Sequence, residues 1–156
     1  MISREEANLW LLRTNDDDGE LEQYYIRRGK ILDSLSGIGA YDAERVRGGS
    51  DSNPTESKNI EYSLLCERIE KLERKIANEN ARTIDVINKV KDSKLRGMLF
   101  ARYINHFSWN KVGEMYHYSR SGSFNYRNAS LDAVRQFIPK EAMITDRNPK
   151  VWTELD

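Results

Sequence analysis

Apolar side chains recur three and four positions apart along most of this chain, a spacing typical of helices with one buried face. The pattern is clearest over 95–134, where it predicts a helix, a short loop, a second helix, a tight turn and a third helix. Asp92 or Ser93 is expected to cap the first of these helices and Ser108 the second. The residues expected to face inward are Leu95, Leu99, Tyr103, Trp109, Val112, Met115, Tyr116, Leu131, Val134 and Phe137.

The second and third of these helices have the spacing of a helix-turn-helix. Gly113 falls where the following helix crosses closely and leaves room only for a very small side chain. Tyr118 supplies an apolar turn residue, and Ser119 is expected to cap the third helix. A plain three-helix bundle would use the same apolar spacing. The polar residues that favour a helix-turn-helix are Arg120, Ser121, Asn125 and Asn128. Arginine and asparagine are the side chains that pair with guanine and adenine edges.

The first third of the chain predicts an interrupted helix followed by a linker. Ser3 is expected to cap the helix, with acidic residues in the first turn. The polar run Asn15–Gly19 is expected to break the helix, which resumes over Glu20–Leu35. The stretch 36–54 is rich in glycine and serine and contains four glycines, so it predicts a non-helical linker.

From Thr55 to about Val90 the chain predicts one long helix without an internal glycine or proline. Charged residues flank an apolar seam that has the alternating spacing of a coiled coil. This seam consists of Leu65, Ile69, Leu72 and Ile76. We expect the seam to join two copies of the chain, with an antiparallel hairpin against Glu20–Leu35 of the same chain as the alternative. Glu79 and Thr83 continue the seam and argue against a long, uniform zipper.

These elements predict an all-α fold with three regions. A helical oligomerisation region is expected over 1–90, a helix-turn-helix domain over 91–138 and a tail over 139–156. The chain of 156 residues has no net charge, but its charges are unevenly distributed. Residues 1–90 hold 14 basic and 18 acidic side chains, whereas 91–140 hold 9 basic and 3 acidic ones. The basic excess coincides with the predicted helix-turn-helix, as binding to phosphates requires.

Composition disfavours several classes of protein. The apolar runs are too short to span a bilayer and the N-terminus lacks signal-peptide anatomy, so a cytoplasmic protein without membrane contact is expected. Cys66 is the single cysteine, which excludes a disulfide framework. The only histidines, His106 and His117, have no acidic pair or cysteine beside them at ligand spacing. We therefore expect no enzyme, no cofactor and no metal.

Leu95–Ile104 and Phe107–Trp109, followed by Tyr118–Ser121 and Leu131–Val134, resemble the region-4 DNA-binding domain of sigma-70-type factors. More narrowly, the run Met-Tyr-His-Tyr-Ser-Arg at Met115–Arg120 is similar to phage and prophage regulators of Gram-positive bacteria. Those regulators have a C-terminus like sigma region 4, and their relatives include the RinA- and ArpU-type late-gene activators. The resemblance covers about 20–137, and its specific part is the C-terminal third.

The resemblance implies a sequence-specific transcription regulator of a phage or prophage operon, such as late or packaging genes, in the cytoplasm of a bacterial host. Its recognition helix, about 119–137, would lie in the major groove of double-stranded DNA. The groove-facing positions carried over are Arg120, Ser121, Phe124, Asn125, Arg127 and Asn128, with Lys111 and Ser119 on backbone phosphates. Gly122 and Ser123 depart from the family pattern, so the recognition helix is expected to start late or to shift register. Phe124 is then expected to fill the core rather than touch a thymine methyl group.

Two other functions remain open. A small terminase-like packaging protein also joins a helix-turn-helix to a helical oligomerisation segment, and it would form a ring of eight or more subunits. A sigma-like module would instead bind host RNA polymerase without reading DNA. The regulator is expected to be a homodimer, so oligomer size separates it from the packaging protein.

Overall fold

The computed structural model describes residues 1–41, 54–119 and 122–140. These residues form α-helices and no strand, so the predicted all-α fold is confirmed. The helices are α1 (Arg4–Leu11), α2 (Asn15–Tyr41), α3 (Pro54–Asn88), α4 (Ser93–Tyr103), α5 (Trp109–Met115) and α6 (Ser123–Arg135). No helix within the described residues is long and apolar enough to cross a membrane.

The chain divides into two compact units, and the division differs from the predicted boundary at residue 90. The first unit combines Met1–Arg13 with the chain from Glu79 onward, and the second unit is Thr14–Asn78. The N-terminal helix α1 and the end of α3 therefore belong with the predicted helix-turn-helix. The tail over 139–156 lies outside the described residues from residue 141 onward.

Helix α1 begins as predicted but ends earlier. The Ser3 hydroxyl accepts a hydrogen bond from the Glu6 amide at 3.1 Å, and the Glu6 carboxylate accepts one from the Ser3 amide at 2.8 Å. This reciprocal capping box satisfies two amides that a helix start otherwise leaves unpaired. The predicted interruption at Asn15–Gly19 is wrong, because the break lies at residues 12–14. Three aspartates fill the first turn of α2 instead, where acidic groups favour the helix dipole.

The second unit is a hairpin of α2 and the first part of α3. Ile31 of α2 is buried together with Leu65 and Ile69 of α3, and further apolar side chains of both helices pack around them. Ion pairs join the same two helices at Arg27–Glu61, 2.7 Å, and at Lys75–Asp17, 3.0 Å. This is the hairpin that the sequence left as the alternative.

Two sequence expectations about this unit change as a result. Leu65 and Ile69 are covered by α2 of the same chain, Ile76 is also buried and Leu72 is half-buried. The seam therefore does not lie open for a second copy, and self-association of the chain stays a prediction. The linker expected from residue 36 is wrong at its start, because α2 continues through Gly37 and Gly39 to Tyr41. Residues 42–53 lie outside the described part of the chain.

Polar residues of α3 that interrupt the seam bind Arg13, which follows the end of α1, within the first unit. The Arg13 guanidinium donates to the Glu79 carboxylate at 2.6 Å and to the Thr83 hydroxyl at 3.0 Å. It also lies 3.8 Å from the centre of the Trp10 ring. Burial raises the pKa of Glu79, but the hydrogen bond and charge of Arg13, with help from Arg82, outweigh it and lower the pKa overall. Glu79 and Thr83 thus anchor the N-terminal helix.

One apolar core holds the first unit together and includes both ends of the described chain. Its buried members are Ile2, Ala7, Trp10, Leu11, Val86, Ile87, Val90, Leu99, Tyr103, Leu131, Val134 and Ile138. Tyr103 donates its hydroxyl proton to the Asn8 side-chain oxygen at 2.7 Å. Burial raises the pKa of Tyr103 to about 12, and the charges of Arg102 and Arg127 oppose that rise. Helices α4 and α6 are thereby fixed against α1.

Candidate nucleic-acid interface

Helices α4 and α5 begin at the predicted caps. The Asp92 carboxylate accepts from the amides of Lys94 and Leu95 at 2.9 and 3.3 Å, and the Ser108 hydroxyl accepts from the Lys111 amide at 3.2 Å. Most predicted inward residues are buried or half-buried. The exception is Met115, which is 47 % exposed, because α5 ends at this residue and turns away.

The turn between α5 and α6 closes through two backbone hydrogen bonds. The His117 amide donates to the Glu114 carbonyl at 3.2 Å, and the Tyr118 amide donates to the Gly113 carbonyl at 2.8 Å. This pair of bonds is the Schellman motif, which needs a left-handed residue after the helix. His117 takes that position with a φ of 60°. His117 therefore lies in the turn between α5 and α6.

Gly113 of α5 lies against the side chain of Tyr126 of α6. A Cβ atom at Gly113 would collide with the phenol oxygen of Tyr126, so this position leaves room only for a very small side chain, as expected. The Tyr126 hydroxyl donates to the Trp109 carbonyl at 3.3 Å. Its ring lies 4.5 Å from that of Tyr118 and 6.2 Å from that of Trp109, measured between centroids. Sequence reasoning missed Tyr126, because nothing in the local spacing indicates which side chain of the next helix packs on Gly113.

Helix α6 starts late, as expected because Gly122 and Ser123 differ from the residues of the family pattern at these positions. Its first residue is Ser123, and Gly122 precedes it at the N-cap. The Gly122 amide donates to the Ser119 carbonyl at 3.0 Å, which forms a short turn before the helix. Ser119 is exposed but is not the helix cap, so that prediction is wrong. Arg120 and Ser121 lie outside the described residues.

The remaining groove candidates lie on α6. Phe124 is 67 % exposed, so the expectation that it fills the core is wrong. Asn125 is exposed beside it, and Asn128 lies one turn further along and is half-buried. Arg127 lies about 160° from Asn125 around the helix axis but only about 60° from Phe124, so it flanks these residues. These three residues, Phe124, Asn125 and Asn128, are called the α6 reading face below.

Arg127 flanks the α6 reading face. Its Nε atom is buried, and its charge acts on the hydroxyl of the core residue Tyr103. Arg127 as a whole is half-buried, and the groove-facing role expected for it stays a prediction. Lys111 is exposed on α5, with its Nζ atom 3.6 Å from the Glu114 carboxylate.

An ion pair with α1 neutralises the one acidic group on the exposed side of α6. Arg4 donates to Asp132 through two nitrogens at 2.8 and 2.7 Å, and the Arg135 Nε lies 3.3 Å from the same carboxylate. The hydrogen bond and charge of Arg4 lower the pKa of Asp132 against a small opposing effect of burial. Sequence reasoning missed this pair, because its members are 128 positions apart.

Comparison with known proteins assigns no family to the chain. No family model, no curated protein and no solved structure matches it. Among the described residues, no group of three or more histidine, cysteine, aspartate or glutamate side chains could hold a metal ion.

Proposed function

We propose that this chain is a sequence-specific DNA-binding protein that regulates transcription of a phage or prophage operon. The observation that carries the proposal is the packing of Tyr126 of α6 on Gly113 of α5, together with the exposure of Phe124 and Asn125 at the start of α6. In helix-turn-helix proteins the second helix enters the major groove with its N-terminal residues towards the base edges, while the first helix braces it. Phe124 and Asn125 are the residues at that end of α6.

The charge distribution supports the same function. Residues 91–140 carry 9 basic against 3 acidic side chains, and a basic surface is what binding to DNA phosphates needs. Lys111 lies on α5, and the Lys94 ammonium lies 4.6 Å from the Tyr118 ring in the turn. The Asp132 carboxylate would repel phosphates, but its pair with Arg4 cancels that charge.

A homodimer would place two recognition helices about one turn of DNA apart on a repeated site. Since Leu65 and Ile69 pack on α2 of their own chain, another surface would join the copies. Ile60 and Leu64 are 56 and 55 % exposed, one helical turn apart on α3, and offer an apolar contact for this purpose. Mass measurement in solution tests this part of the proposal, with two subunits expected and eight or more favouring a packaging ring.

The direct test is selection of the full chain on a randomised DNA library, followed by sequencing of the bound fraction. A single enriched motif is expected. Arg120→Ala should weaken binding to that motif by about 1–3 kcal/mol and should reduce the base preference at one position of the motif. Lys111→Ala should weaken binding to all sequences alike, and Lys89→Ala, an exposed lysine at the end of α3, serves as its charge-matched control. Uniform recovery of all sequences, or none, would contradict the proposal and favour DNA packaging or RNA polymerase binding.

A further inference from the structure

Phe124 is an unusual surface residue. Apart from Met1 it is the most exposed of the large apolar side chains that the structure describes. It lies in the first turn of α6, whereas the core side of that helix is formed by Tyr126, Leu131 and Val134. Aromatic rings gain much from burial, so a ring left in water at a candidate binding face indicates a partner that covers it.

The immediate neighbours of Phe124 narrow down what that partner is. Phe124, Asn125 and Asn128 fall within an arc of about 100° on the first two turns of the helix. In those two turns the arc contains one phenyl ring and two carboxamides and no charged side chain. The same side continues with Asp132 and Arg135, which pair with each other, and Asp132 also pairs with Arg4.

This combination matches the major-groove edge of adenine–thymine pairs. An asparagine carboxamide forms two hydrogen bonds with N6 and N7 of adenine, and an apolar side chain contacts the C5-methyl group of thymine. Guanine is read mainly by arginine or lysine. Within the described part of α6, the two arginines are Arg127, whose Nε atom is buried, and Arg135, which pairs with Asp132.

We infer that the α6 reading face recognises adenine–thymine pairs, with Phe124 packed on a thymine methyl group and Asn125 or Asn128 bonded to adenine. The inference rests on the proposed DNA-binding function and specifies which bases it reads. A protein partner fits the face less well, because two carboxamides next to the ring would need matching donors and acceptors in a dry interface. Phe124 therefore determines specificity and does not close the core.

The test uses the full chain and the DNA site obtained by selection. Each thymine of that site is replaced in turn by deoxyuridine, which removes the methyl group and keeps base pairing. Binding is measured by competition for the wild type, Phe124→Ala and Phe124→Leu. Phe100→Ala, an exposed phenylalanine of α4, is the matched control.

One thymine position is expected to stand out. Loss of its methyl group should weaken wild-type binding about fourfold, the effect of removing one buried methyl-sized group. Phe124→Ala should weaken binding to the thymine site at least as much and should no longer distinguish thymine from uracil there, whereas Phe124→Leu should keep part of the difference. Phe100→Ala should behave as the wild type does.

Several results would overturn the inference, and they have different consequences for the function. If the protein selects a motif but no thymine-to-uracil change affects binding, or Phe124→Ala keeps the discrimination, the inference is wrong and the proposed function stands. If no motif is selected at all, both fail together. A motif made of guanine–cytosine pairs throughout would also refute the inference alone.

Discussion

Replacement of Gly113 by alanine tests the close packing at this glycine on which the helix-turn-helix depends. The new Cβ atom would meet the phenol oxygen of Tyr126, so the ring has to move. Tyr126 is almost fully buried, and it donates a hydrogen bond to the Trp109 carbonyl while its ring lies against Tyr118 and Trp109. Any displacement therefore disturbs several contacts at once.

The expected loss follows from those contacts. The hydrogen bond is worth about 1 kcal/mol. The two aromatic contacts contribute about 0.5–1.5 kcal/mol each. Alanine is favoured over glycine inside a helix by about 1 kcal/mol, which offsets part of the loss. Gly113→Ala should therefore lower the free energy of unfolding by about 1–3 kcal/mol. Helix propensity alone predicts the opposite, a higher free energy of unfolding.

Urea denaturation followed by circular dichroism measures this difference. Gly29→Ala is the matched control, because nothing lies within 4 Å of a Cβ atom at Gly29, and it should be neutral or stabilising. Tyr126→Phe removes the colliding oxygen, so Gly113→Ala should cost at least about 1 kcal/mol less in that background than alone. A neutral or stabilising Gly113→Ala, or strictly additive effects in the double variant, would refute the argument.

Three further changes test other parts of the structure. Leu65→Ala should destabilise the single chain by about 2–3 kcal/mol, and its exposed neighbour Leu64→Ala by less than about 0.5, when urea denaturation is measured at a protein concentration too low for two copies to associate; a loss at Leu65 that appears only at concentrations at which copies associate would favour the zipper. His117→Gly should stabilise by about 0.5–1 kcal/mol in urea denaturation because it relieves a left-handed backbone, and a loss would contradict this. Because the pKa of Glu79 lies below its ordinary value of 4.5, the stability that its ionised form contributes is present above that pH and is lost on acidification through the lower folded pKa. Glu79→Gln should therefore be less stable than the wild type near neutral pH and converge with it in acid, and a pH-independent difference in denaturation midpoints would rule this out.

The features that could be predicted from the sequence are those set by residues close together in the chain. Ser3, Asp92 and Ser108 cap helices because each bonds to an amide two or three positions later. The length of α3 follows from its lack of internal glycine and proline. Gly113 was recognisable because its spacing to the turn is typical of the motif.

Features that depend on a choice between equivalent partners could not be predicted. The same apolar spacing at Leu65 and Ile69 serves a hairpin within one chain or a zipper between two, since a buried stripe does not specify what covers it. Whether Phe124 faces the core or the solvent depends on the residue at which α6 begins. Each residue turns a helix by about 100°, so a start delayed to Ser123 determines which side chains face the core.

The link between α1 and α6 depends on neither local spacing nor apolar pattern. Arg4 has Glu5 beside it in the sequence and Asp132 has Arg135 three residues later, so neither needed a distant partner. The pair forms because the shared core brings the start of α1 against α6. A fragment beginning at residue 91 would lose α1 and the end of α3, expose the core side of Leu131 and leave Asp132 without Arg4. The unit that we propose to bind DNA therefore includes the N-terminus of the chain, and α1 helps to set both the stability and the charge of its recognition helix.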